Sequence, residues 1–346
     1  MTEWFLFFLV VFVYVHVIQQ YKYSEESEVY EMDYVDNANL QETCQLLQPV
    51  VFVASLNVLP VLPTPKDDAS PATAHAPPTT LSLYDATSTK YATPLPFAAA
   101  WELLGATESL RYSEHNEAWI MSNPGYQEKL HEMHAYLQPP LTVQSSQDVC
   151  IGALQAYTPF RYHVNTRKFM VVASGRITVK MAPWKKHAKY LHEVRDYELG
   201  EYRANINVWE PKEHHRRDHD KIDFLEFDVD VGHILYVPPY WGYSVRYQEP
   251  RTVLVEYTYS SLFNRLAFLG EIGRTWMQQQ RIFSSYFPSV RPRSMAPITT
   301  QPNPDTSGSE GEEPGPGPTP PSDEKKEVPP LSHPPETEPS VTDKSS

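Results

Sequence analysis

The stretch "ILYVPPYWGYSVRY", Ile234 to Tyr247, decides how this chain is read. An apolar run enters a Pro-Pro turn, an aromatic pair and a glycine follow, and a second run then alternates apolar with polar side chains. Period-two patterning on both sides of a proline turn predicts two strands, not a helix. The neighbouring sequence repeats the pattern. From Gly152 onward "GALQAYT", "KFMVVA", "RITVKMA", "ANINVW", "EFDVDV", "HILYVP", "GYSVRY" and "TVLVEYTY" follow one another, separated by Gly, Pro or charged loops. Eight such segments predict a mainly β fold, a double-stranded β-helix of the jelly-roll or cupin type over residues 81–260.

The chain has 346 residues and a net charge of −14, with 41% hydrophobic residues, enough to bury a sizeable core. Residues 301–346 hold 12 prolines and 10 acids against 3 lysines, so residues 288–346 are read as a disordered Pro-rich acidic tail. No basic stripe suits nucleic acid, and no G-x-S-x-G, P-loop or G-x-G-x-x-G motif suits a hydrolase or nucleotide site. Cys44 and Cys150 make no metal pair and are expected as buried free thiols. The N-x-S/T sequon is absent.

"WFLFFLVVFVYVHVI", Trp4 to Ile18, is apolar apart from His16. Extended to Tyr23 it reaches the roughly 30 Å that a bilayer core requires, so residues 1–23 are read as a single-pass membrane anchor of unassigned orientation. A cleavable signal peptide fits less well, lacking a leading cation and a small-x-small site. A buried core strand is the third reading. Residues 24–62 lead into the main domain and contain a strand in "QPVVFV"; residues 63–80 are a low-complexity loop. "PFAAAWELL" and "NPGYQEKLHEMHAYL" predict helices. Residues 261–287 predict a helix whose Leu262, Leu266, Leu269 and Ile272 form one apolar side, packed on its own barrel or on a second copy as a homodimer. The charged loops around His214, His215 and His219 and around "WKKHAKYLHEVR" are read as solvated.

Four pieces in order, "QPVVFV", "YLQPPLTV", "TPFRYHVNTRKFMVVASGRITVKMAPW" and "VDVGHILYVPPYWGYSVRY", resemble the JmjC-type cupins. These are iron(II)- and 2-oxoglutarate-dependent oxygenases that include the asparaginyl hydroxylases. The resemblance spans about Tyr30 to Phe283. It implies a facial triad of two histidines and a carboxylate on iron. Aligned on Thr158-Pro159, this chain has Arg161 and His163 at the first two ligand positions; aligned on Gly175, it has Tyr162 and Val164. Tyr243 stands at the distal histidine, and Ile177 stands where a lysine would bind 2-oxoglutarate, with Arg176 and Lys180 nearby. Thr158 matches a position that touches the cosubstrate.

An arginine repels a dication. Arg161 is therefore read as replacing the metal's charge, with Glu256 as its carboxylate partner and Tyr243 completing the cluster; an outward, solvated Arg161 is the other reading. No cofactor is expected. The leading function is an inert membrane-anchored binding or scaffold module, with an anionic small molecule or a protein as ligand of a pocket lined by Arg161, His163, Tyr243 and Glu256. The alternatives are an active iron(II)/2-oxoglutarate hydroxylase using His163 with His233 or Glu256, and a purely structural assembly protein.

Overall fold

The computed structural model describes residues 2–53, 59–62, 80–106, 109–196 and 200–279, so the expected tail and nearly all of the low-complexity loop lie outside the described residues. The first third holds α1 (Thr2–Gln19), β1 (Tyr30–Met32), α2 (Asn37–Thr43), β2 (Val50–Val53), β3 (Thr80–Asp85), β4 (Ser88–Pro96), α3 (Phe97–Gly105) and β5 (Arg111–Ser113). Two helices follow, α4 (Glu117–Ser122) and α5 (Pro124–Leu137), then β6 (Thr142–Gly152), β7 (Arg161–Tyr162), β8 (Arg167–Ser174) and β9 (Ile177–Pro183). Next come α6 (Trp184–Leu191), β10 (Glu193–Asp196), β11 (Glu201–Ala204) and α7 (Arg216–His219). The chain continues through β12 (Leu225–Val229), β13 (His233–Val237), β14 (Trp241–Tyr247) and β15 (Thr252–Ser261) to α8 (Leu262–Ala267) and α9 (Leu269–Gln279).

The strands form two sheets. One has nine strands in the order β1-β2-β13-β8-β15-β6-β5-β3-β4, the other six in the order β10-β11-β7-β14-β9-β12. Neither sheet closes on itself, so the expected barrel is not present as a closed sheet. Instead the inward faces of both sheets share one core, which includes Cys150, Met170, Val172 and Leu254 of the larger sheet and Val179, Met181 and Val245 of the smaller. Alternation builds this core: on β8 and β15 nearly every side chain is covered, because these strands lie centrally in the larger sheet. The lead-in is integral to the fold. β2 pairs with β13, and β1 extends that edge in parallel with β2.

Glycine placement explains the opening stretch. Gly242 on β14 lies against the Phe160 ring, and a Cβ there would also stand 3.1 Å from Trp184. Only a residue without a side chain admits these rings, which stack with centroids 5.9 Å apart.

Six of the eight expected β segments are strands. "GALQAYT" is not, because β6 ends at Gly152 and Tyr157 makes only an isolated bridge with Arg246. "ANINVW" is a turn, since the Asn207 side chain accepts the N–H groups of Trp209 (3.0 Å) and Glu210 (3.1 Å). The basic segment after Trp184 is helix α6, which buries Trp184, His187 and Leu191. The expected helix from residue 261 breaks at Phe268, and its leucine side is outward: Leu262, Leu266 and Leu269 are exposed while Asn264 is buried. Asn264 faces inward because its side chain donates to the Val164 carbonyl at 2.7 Å. The N-terminal run is a helix with no buried residue, which removes the core-strand reading. One N-terminal helix, α1, is thus long and apolar enough to cross a membrane.

Candidate functional site

β14 pairs with β7 so that Tyr243 lies directly opposite Arg161. The two positions that the resemblance assigns to iron ligands are therefore cross-strand neighbours, and both line a cavity of about 530 Å³ between the sheets and the α8–α9 segment. Tyr162 also borders the cavity, with its ring tilted against Trp184 (4.4 Å) and stacked on Tyr202 (4.8 Å). Arg161 is buried, so its solvated reading is excluded. Its expected partner is not its partner. The guanidinium donates at 2.7 Å to Glu201 Oε1 and at 2.7 Å to Glu114 Oε2, while Glu256 receives Lys168 Nζ at 2.6 Å. Two arms of buried charge result, joined by the Tyr243 ring, whose centroid lies 5.7 Å from the guanidinium carbon and 5.3 Å from Lys168 Nζ.

Local backbone chemistry places the carboxylates. Glu114 and His115 occupy the turn after β5, where His115 takes a left-handed φ of 59°. Asp148 on β6 holds that turn by accepting the N–H groups of His115 (2.6 Å) and Asn116 (2.7 Å). Asn116 locks it from the far side, donating to the Val149 carbonyl at 2.7 Å. Glu201 arrives at the start of β11, where Arg203 also binds its second oxygen at 2.6 Å.

The charges answer to one another. Burial alone would raise the Glu201 carboxyl, but Arg161, His115 and Arg203 hold it well below the usual carboxylate range. His115 is driven the opposite way: burial disfavours its charge, yet the hydrogen bond to Glu201 and the charge of Glu114 lift it to about 9. Burial would also raise Glu256, which Lys168 and Arg161 keep low. His163 is pushed down to about 3 by burial and by Lys168, and its Nε2 donates to the Val237 carbonyl at 2.9 Å. It is a neutral histidine on the cavity wall, and its Nδ1 is buried with no hydrogen-bond partner among the described residues.

This donor set does not fit iron(II) with 2-oxoglutarate. Two fixed cations, Arg161 and Lys168, stand at the heart of the cavity, where their charge repels a dication. Thr158 is outside the cavity lining; its hydroxyl accepts the Val245 N–H at 3.0 Å and ties β14 to the segment before β7. His233 opens β13 opposite Val53, and Arg176 pairs with Asp230 in solvent; neither lines the cavity. Among the described residues, Glu114, His115 and Glu201 bring donor atoms within 4.8 Å of one another. A metal ion there would have to compete for Glu201, whose two oxygens already receive Arg161 and Arg203.

The sequence reading found Arg161, His163, Tyr243 and Glu256 and missed Glu114, His115, Lys168 and Glu201. Lys168 carried a usable signal, as a charge in phase with the apolar Met170 and Val172 of β8. Cys44 and Cys150 are buried free thiols, as expected. Neither the models of known protein families nor the curated proteins match this chain.

Proposed function

We infer that this chain is a membrane-anchored, JmjC-like cupin that has exchanged its metal centre for an internal ion-pair network and acts as a binding or scaffold module. The arrangement of strands supports the fold reading. Along the chain β6, β8, β13 and β15 fall in the larger sheet and β7, β9, β12 and β14 in the smaller, each set contiguous and antiparallel, as two interleaved Greek keys require. One observation carries the functional reading: Arg161, at a metal-ligand position, is clamped between Glu114 and Glu201, and its charge stands where a dication's would. The guanidinium supplies a fixed positive charge at that position and neutralises Glu114 and Glu201.

The cavity's charge favours a cationic ligand over the anion expected from sequence. Glu114, Glu117, Asp148, Glu201, Glu256 and Glu271 line it against Arg161, Lys168, Arg265 and the protonated His115, an excess of acids. Glu114 Oε1 is buried and has no hydrogen-bond partner among the described residues, which leaves an acceptor for an ammonium or guanidinium group. The test is iron content and 2-oxoglutarate-dependent succinate formation by the full chain, purified without oxygen in detergent and supplied with iron(II). A folded protein with neither is the expected result. Stoichiometric iron with succinate formation refutes the inert reading. A parallel thermal-shift comparison of a polyamine with a dicarboxylate reads the sign of the ligand: stabilisation by the polyamine is expected, and stabilisation by the dicarboxylate alone overturns it.

A further inference from the structure

The apolar stripe beyond β15 is exposed among the described residues. Leu262 and Leu266 on α8, then Leu269 and Trp276 on α9, recur at helical spacing, and Leu269 and Trp276 are 62% and 57% exposed. Beside the stripe lies the apolar helix α1. The Phe263 ring packs on α1, with centroids 5.9 Å from Phe12 and 4.7 Å from His16. Just past the end of α1, the Tyr21 hydroxyl donates to the Ala267 carbonyl at 2.7 Å and its ring meets Phe268 at 5.3 Å. Lys185 of α6 closes the junction, donating to the Tyr21 carbonyl at 3.1 Å with its ammonium 4.2 Å from the Tyr23 ring centroid. α8 is therefore held at a fixed height along the apolar helix.

That height can be worked out. α1 has 18 residues, about 27 Å at ~1.5 Å per residue, close to the ~30 Å hydrocarbon thickness. Phe12 and His16 lie three to seven residues inside its C-terminal end, which places Phe263 about 5–10 Å below that end. Amphipathic helices that lie in a bilayer interface sit about 5–10 Å into the headgroup and acyl boundary.

We propose that α8 and the start of α9 form a second membrane-contacting element, with Leu262, Leu266 and Leu269 inserted in the bilayer interface beside α1. This rests on the reading of α1 as a membrane anchor. Because Arg265, Phe268 and Ile272 line the cavity, the cavity then opens at the level of the headgroups.

The full chain carrying one introduced cysteine, Phe7→Cys, Leu266→Cys, Leu269→Cys or Met121→Cys, is labelled with a bimane fluorophore. Each is reconstituted into phosphatidylcholine vesicles with or without bromine on the acyl chains near the headgroup. Native Cys44 and Cys150 are buried, so the label goes to the introduced sites. Met121 is the aqueous reference, exposed on α4, which packs on β3, β6 and α5. The expected result is about a twofold loss of emission at residues 266 and 269, as at residue 7, with none at 121. Quenching at 7 while 266 and 269 behave like 121 overturns the inference and leaves the anchor standing. No quenching at any site overturns both. Disulfide formation between copies at Leu266→Cys in unlabelled vesicles, without quenching, assigns the stripe to a second copy and overturns the inference.

Discussion

Replacing Glu256 with glutamine strips the counter-charge from Lys168. The two meet at 2.6 Å with side chains only 10% and 9% exposed, so the ammonium left behind has little water to turn to. Its other charged neighbour, Arg161, has the same sign. Breaking a buried pair from one side costs about 3–5 kcal/mol, because an uncompensated charge stays inside. For a domain of this size about 1 kcal/mol moves Tm by roughly 2–4 °C, so Glu256→Gln is expected to lower Tm by roughly 6–20 °C at neutral pH. Lys168→Met combined with Glu256→Gln removes both charges and should recover most of that loss. The pH dependence has a definite sign. Glu256 has a folded pKa below its ordinary value, so its contribution is present above the ordinary carboxylate range and lost as pH falls through the folded value. The gap between the natural protein and Glu256→Gln therefore narrows in acid. Thermal unfolding of the full chain in detergent, followed by near-UV circular dichroism across pH, measures all three variants. A Tm change below about 2 °C for the single substitution at neutral pH would refute the buried-pair account.

Three other substitutions probe neighbouring features. Arg161→Met leaves Glu114 and Glu201 facing each other without their shared cation and should destabilise by about 3–5 kcal/mol in urea unfolding. His115→Gln should cost stability near pH 6 and progressively less toward about pH 10, since a histidine raised to about 9 gives its full contribution below its ordinary pKa and loses it through the raised one. Chemical denaturation at the two pH values reads the difference. Gly242→Ala forces a methyl into the Phe160 ring and should cost about 1–3 kcal/mol or more, with a matching fall in Tm.

How far the sequence could be read depended on whether periodicity or long-range pairing held the information. β8, β9 and β12 to β15 were legible because apolar residues recur at the pleat's own period. β6 was passed over because its first half, Thr142 to Ser146, is polar and largely exposed. The β10–β11 hairpin was passed over because "EVRDYELGEYRA" is charged, its strands lying at the edge of the smaller sheet. The inward turn of Arg161 followed from the cost of a buried guanidinium, but its partners did not. Glu201 and Glu114 are 40 and 47 residues away, on elements whose adjacency only the assembled sheets create. Glu256 was placed on the correct face of β15 and assigned to the wrong cation, since Lys168 on the adjacent β8 is nearer.

The passage from β15 to α8 contains no linker. Ser261 is at once the last residue of the strand and the N-cap of the helix, its hydroxyl accepting the Asn264 N–H at 3.3 Å. Glu256 sits five residues upstream, about 17 Å along the same strand. The pairing of β15 with β6 shifts register at Ser260/Ser261, so the bend into the helix is made within the sheet. A tilt of α8 is taken up by flexing β15, which is clamped between β6 and β8, and the lever ends at the Glu256–Lys168 contact inside the cavity.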